Sequence, residues 1–124
     1  MSYAGFLIAQ KLWDHVDVTV IDKRDHFELI TCSFKMMFEH DKVDECLTLN
    51  EKTAQAFKKI TYKQGTLSKV NKKTNTIEVT NVETGTPEQV DFDILVICTG
   101  FQYPGMIRGE HLSLEKRKLD AESY

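Results

Sequence analysis

The stretch from Tyr3 to Asp22 constrains this chain most: a helix-patterned run, a short turn, and a β-branched run that closes on a carboxylate. Gly5, Ile8, Ala9 and Leu12 recur at i, i+3, i+4 and i+7, the spacing of one helix face, and that face starts small and smooth. A sheet can pack closely against it. After Trp13-Asp14-His15, the run Val16-Asp17-Val18-Thr19-Val20-Ile21 has the composition of a strand, and it stops at Asp22 before Lys23, Arg24 and Asp25.

Helix, strand and acid in that order form the second half of a βαβ unit that binds a dinucleotide. The first half, a buried apolar strand followed by G-x-G-x-x-G, is represented only by its end. With Gly5 as the third glycine, Ser2 takes the second position, Tyr3 and Ala4 intervene, and the first glycine would fall just before Met1. Asp22 then stands about 20 residues past the turn, where a ribose-binding acid belongs. An ordinary helix–strand pair with a solvated acid at its tip fits the same residues equally well.

At 124 residues the chain is one domain or part of one. Its 16 basic and 19 acidic residues give a net charge of -3, which argues against a nucleic-acid surface. Lys58-Lys59, Lys72-Lys73 and Lys116-Arg117-Lys118 are short basic pieces and read as solvated faces. No apolar run approaches the roughly 20 residues of a membrane span, so no transmembrane segment is expected, and no charged-apolar-small leader precedes the first helix. Cys32, Cys46 and Cys98 form no C-x-x-C, which suits a reducing compartment with Cys98 as a core thiol and provides no dithiol relay. His15, His26, His40 and His111 show no metal-ligand spacing, and no nucleophile motif is present. No metal ligand and no catalytic side chain is therefore assigned.

Further along, Phe27 to Ile30 is expected to leave the sheet edge toward a ligand or lid. Ser33 is expected to cap a short helix with Phe34, Met37 and Phe38 on its core side, and Asp41 to Cys46 reads as loop with a few helical residues possible. A second helix starts near Asn50 and carries Ala54 and Phe57, with Lys58 and Lys59 near its end, where the helix dipole favours cations. From Ile60 the period changes to two: Ile60 and Tyr62, then Leu67 and Val70 after a break at Gly65, then Thr76 to Thr80, then Val90 and Phe92, a small antiparallel meander. Phe92-Asp93-Ile94-Leu95-Val96-Ile97-Cys98 loses this alternation and reads as a central parallel strand covered on both faces, ending in a Thr99-Gly100 turn at the crevice edge where α/β ligands sit.

Taken in order, Ser2-Tyr3-Ala4-Gly5, Val18-Thr19-Val20-Ile21-Asp22, Gln64-Gly65-Thr66-Leu67 and Asp93-Ile94-Leu95-Val96-Ile97-Cys98-Thr99-Gly100 resemble the N-terminal FAD-binding part of the pyridine nucleotide-disulfide oxidoreductase superfamily. Within it the chain looks most like the apoptosis-inducing-factor-like and type II NADH dehydrogenase branch. The resemblance runs from Ser2 to about Pro104. It implies an α/β fold, an incomplete Rossmann-like FAD-binding domain with a parallel sheet, helices and a small antiparallel meander, whose first strand is missing. Residues 1–104 would form that partial domain and 105–124 a linker or frayed tail. Ser2, Tyr3, Ala4 and Gly5 would lie beneath the FAD pyrophosphate, Asp22 would accept the adenosine ribose hydroxyls with Lys23 beside it, and Leu67 would bracket adenine through its backbone. Thr99 and Gly100 match the family's A-T-G turn at the cofactor, with Cys98 in place of Ala. Lys35 matches a position that is Arg in some relatives and would contact the flavin or its phosphates; a solvated helix lysine fits it as well.

Such enzymes pass electrons from NAD(P)H through FAD to a quinone or another small-molecule acceptor. The family's NAD(P)H domain and its flavin-completing Gly-Asp segment have no counterpart here, so the resemblance implies a truncated chain that is inactive alone. Phe101 to Gly109 reads as the family's linker, and Ser113 to Leu119 as a charged, exposed helix. A non-catalytic accessory remnant, with a protein partner covering exposed sheet edges, and a separate NAD-binding module remain as alternatives. The expected compartment is cytoplasmic or mitochondrial.

Overall fold

The computed structural model describes residues 2–100 and 111–122. Helix α1 (Tyr3–Leu12) leads into β1 (Val18–Asp22) and β2 (His26–Glu28); α2 (Ser33–Phe38), α3 (Val43–Cys46), β3 (Leu47–Leu49) and α4 (Asn50–Gln55) follow. Then come β4 (Ile60–Asn71), β5 (Thr76–Asn81), β6 (Pro87–Asp91) and a C-terminal helix, α5 (Leu114–Glu122). One sheet has the order β1-β4-β5-β6, and a second pairs β2 with β3. The architecture is mixed α/β, an incomplete Rossmann-like unit joined to an antiparallel meander. Among the described residues, no helix is long and apolar enough to cross a membrane.

β4 joins the two halves because it changes partner along its length. Residues 60–64 pair parallel with β1, Val18 opposite Ile60 and Asp22 opposite Gln64. From Gly65 onward it pairs antiparallel with β5. Gly65 therefore does not break the strand, as its lack of a side chain suggests, but sits at the hand-over inside it. A Cβ there would collide with Val79 Cγ1 and stand 3.2 Å from the Thr80 carbonyl oxygen, so only glycine permits the close approach of the three strands.

The buried stripe of α1 differs from the expected one. Phe6, Ala9 and Gln10 face Thr53, Ala54, Phe57 and Ile60 across a small apolar gap, and Trp13 meets the Phe57 ring with centroids 5.6 Å apart. Ile8 and Leu12 stay more than a third open. The aromatic side chains rotate the packed face because α4 and the start of β4 offer them a matching surface. α4 itself ends at Gln55, so Phe57, Lys58 and Lys59 lie beyond it.

A second core forms where α2, α3, β3 and α5 meet: Met36, Val43, Cys46, Leu47 and Ala121 are buried, with Cys32 and Leu114 packed against them. Phe34 and Phe38, expected in the core, are exposed, and Met36 takes their place. The side chains of Ser33 and Met37 lie outside the described residues. Phe27 does not leave toward a lid but sits in β2, paired with Thr48 of β3. Ser113 to Leu119, expected as a charged, exposed helix, lead into and form part of α5, where Arg117 is buried and donates from Nη2 to Glu28 Oε1 at 2.8 Å. The linker expected over Phe101 to Gly109 lies outside the described residues.

The run Phe92–Cys98 is the main departure. It forms no strand, and Ile94, Val96 and Ile97 are 82%, 51% and 62% exposed. A doubly apolar strand is stable only with a paired neighbour and cover on both faces. Among the described residues, none pairs with this run as a strand. Cys98 is half-buried rather than a core thiol.

Candidate functional site

The described contacts converge on the end of β1. α1 leads into β1 through a short turn in which the Leu12 carbonyl accepts the His15 and Val16 N–H groups. The rings of Phe6, in the first turns of α1, and Phe27, in the strand that follows Asp22, stack with centroids 5.5 Å apart and bring those two segments together. Ser2 caps the helix: its backbone is extended, and its Oγ accepts the Gly5 N–H at 3.0 Å. The amides of Tyr3 and Ala4 have no acceptor within the helix, and the dipole makes this end favourable for an anion.

Asp22 is half-buried. Its Oδ1 accepts the Arg24 N–H at 2.8 Å, which folds the chain into a tight turn and orients the carboxylate. The turn that follows is held from several elements. Gln64 Nε2 donates to the Lys23 carbonyl at 3.1 Å. Asn50 Nδ2 and the Tyr62 hydroxyl both donate to the Arg24 carbonyl, at 2.9 and 2.6 Å. The Asn50 backbone N–H donates to the Asp25 carbonyl at 2.7 Å. Burial pushes the Tyr62 phenol up to about 12, so its hydroxyl keeps its proton and remains a donor. Alternation along β4 puts Ile60, Tyr62 and Gln64 on one face: Ile60 touches α1 and α4, and the next two side chains on that face reach the turn.

The far side of the turn belongs to the C-terminal helix. Asp25 donates its backbone N–H to the Leu112 carbonyl at 2.9 Å, and its Oδ1 accepts the Leu114 N–H at 2.7 Å, capping α5. The same carboxylate lies 2.8 Å from His26 Nδ1. Burial lowers the His26 pKa, partly opposed by that hydrogen bond.

Of the residues singled out in the sequence, Ser2, Tyr3, Ala4 and Gly5 lie at the head of α1, Asp22 ends β1, and Lys23 begins the turn after it. Leu67 lies farther along β4, just past the hand-over and beside a register shift. Thr99 and Gly100 follow the unpaired run and are exposed; Gly100 has φ +67, the left-handed region that favours glycine in a turn. Lys35 sits on α2 and pairs with Glu45 at 2.6 Å, and that hydrogen bond raises its pKa. Asn50, Tyr62 and Gln64 were not singled out. Tyr62 and Gln64 do carry a signal, since they share a strand face with Ile60, but Asn50 has none beyond a polar residue closing the alternating Leu47-Thr48-Leu49. Among the described residues, no group of three or more His, Cys, Asp or Glu side chains is arranged to hold a metal.

The chain is similar to NDH2 from Plasmodium falciparum in complex with NADH, with a TM-score of 0.55 and 17% identity over 65% of this chain. What the two share is the fold. This chain spans 17% of the length of that one. No protein-family model matches the sequence, and no curated protein matches it significantly.

Proposed function

We propose that this chain is the nucleotide-gripping part of an FAD-dependent NAD(P)H oxidoreductase, in which electrons pass from NAD(P)H through flavin to a quinone or another small acceptor. What supports the reading is a capped helix N-terminus on α1, a half-buried carboxylate at the tip of the parallel strand β1, and the ring contact that ties the first turns of α1 to the strand after Asp22. The residues there fit the group. The small residues Ser2, Ala4 and Gly5 leave room for a pyrophosphate against the helix amides, and Asp22 offers acceptors to a pair of ribose hydroxyls. An acid at that point repels a 2′-phosphate, which favours FAD or NAD over NADP. Leu67 would meet adenine, and Thr99 and Gly100 would lie toward the flavin.

When bound, the flavin would supply hydride acceptance and electron release. The chain's own residues bind and orient it, and no side chain here is assigned a chemical step. A protein purified yellow, with colour that follows FAD content, supports this reading. A colourless folded protein that binds NAD but not FAD by calorimetry overturns it in favour of a separate NAD module.

A second reading, an accessory subunit acting through a protein partner, is favoured by the exposed Ile94, Val96 and Ile97 and by an edge of β1 that no strand among the described residues pairs. It predicts a colourless chain that retains a stable partner through size-exclusion chromatography.

A further inference from the structure

We infer that Asn50, Tyr62 and Gln64 are positioning residues for the ribose-reading carboxylate, acting through the backbone of the Lys23–Asp25 turn. The inference rests on the proposed nucleotide site and adds to it the means by which Asp22 is aimed.

Asp22 ends a strand that pairs on one side only among the described residues, and a carboxylate at such a tip is ordinarily free to swing. Here its Oδ1 is fixed by the Arg24 N–H. The orientation of that amide depends on where the rest of the turn is held. Three consecutive carbonyls, those of Lys23, Arg24 and Asp25, are each taken by donors from β4 or from the start of α4. The Arg24 carbonyl takes two of them. Asn50 is fully buried and grips two successive peptides, one with its side chain and one with its backbone. Because Asp22 and Gln64 are register partners, the strand pairing itself sets the distance over which these side chains reach. The clamp therefore converts the β1–β4 register into a fixed carboxylate direction. Hydroxyl recognition gains most from such fixing, since the ordering cost is met when the chain folds rather than when the ligand binds.

Tyr62→Phe removes the donor and keeps the ring. The test is calorimetric titration of the full chain and this variant with ADP and with 2′,3′-dideoxy-ADP. The native chain should prefer ADP about tenfold, the scale of hydrogen bonds to a charged acceptor. In Tyr62→Phe the preference should fall to about threefold or less, with dideoxy-ADP affinity kept within about twofold. Gln64→Ala, which removes an exposed donor, should shift the preference the same way by a smaller factor and stands in if Tyr62→Phe fails to fold. A native chain without hydroxyl preference overturns the nucleotide site and the clamp together. A native preference that survives both variants overturns the clamp alone. An equal loss of both ligands in Tyr62→Phe would mean a purely structural role and would also overturn it.

Discussion

The layer under α5 and the run after β6 invert ordinary expectation in opposite directions. Beneath α5, charged side chains are inside: Arg117 and Glu28 are 2% and 4% exposed, and His26, on the same strand as Glu28, is buried as well. After β6, isoleucines and a valine are outside. Hydropathy alone would exchange the two. What separates them is the supply of partners. Arg117 donates through Nε and Nη2 to Glu28 Oε1 and through Nη1 to Asp120, so its charge is compensated where it lies. The Ile94–Ile97 run has no neighbouring strand among the described residues to satisfy its backbone and cover its faces.

The largest way to break this contrast is to remove one side of the buried pair. Arg117→Ala leaves the Glu28 carboxylate buried without its guanidinium and should cost about 3–5 kcal/mol in urea unfolding. The double variant Arg117→Met with Glu28→Leu should recover most of that loss, because an apolar pair needs no compensation. A single variant as stable as the native chain would show that the ion pair does not hold α5 down.

Gly65→Ala probes the joint between the parallel and antiparallel halves. Its Cβ meets Val79 and the Thr80 carbonyl, so a loss of about 1–3 kcal/mol is expected by the same unfolding assay. An unchanged midpoint would show that the strands can move apart at the hand-over.

These two positions also show what the sequence could reveal. The alternating runs of β5 and β6 were legible because a hairpin carries its own partner a few residues away. The α1–β1 pair was legible from the run of Val and Ile closing on Asp22. Phe92–Cys98 has a clear strand composition, yet composition does not record whether a neighbouring strand is present. Arg117 sits in a Lys-Arg-Lys triplet that reads as solvent-facing, and nothing local marks it as the partner of a glutamate 89 positions away. Asn50 was hidden for the same reason: its role depends on a turn 26 residues distant.

The buried polar layer should also respond to pH. Burial holds His26 below its ordinary pKa, so the unfolded chain takes up its proton more readily than the folded one. The stability contributed by neutral His26 is therefore fully present above about 6.5 and is lost as pH falls from there toward the folded value. The urea midpoint should drop between about pH 7.5 and 5.5, and the drop should shrink in His26→Gln. A native-sized drop in the variant would assign the pH response to other groups.

The smallest effect belongs to the exposed run. Ile94→Ser and Ile97→Ser should each change stability by no more than about 0.5 kcal/mol, because little apolar surface is buried there. A larger loss would mean that the run is packed in solution.

An amide NMR titration of the chain with ADP tests the proposed nucleotide site at α1 and β1 most directly. Ligand-induced shifts should concentrate at Tyr3, Ala4 and Gly5 and from Asp22 to Asp25, should leave the β5–β6 hairpin unmoved, and should vanish in Asp22→Ala. Shifts centred on another part of the molecule, or an Asp22→Ala variant that responds like the native chain, would contradict it.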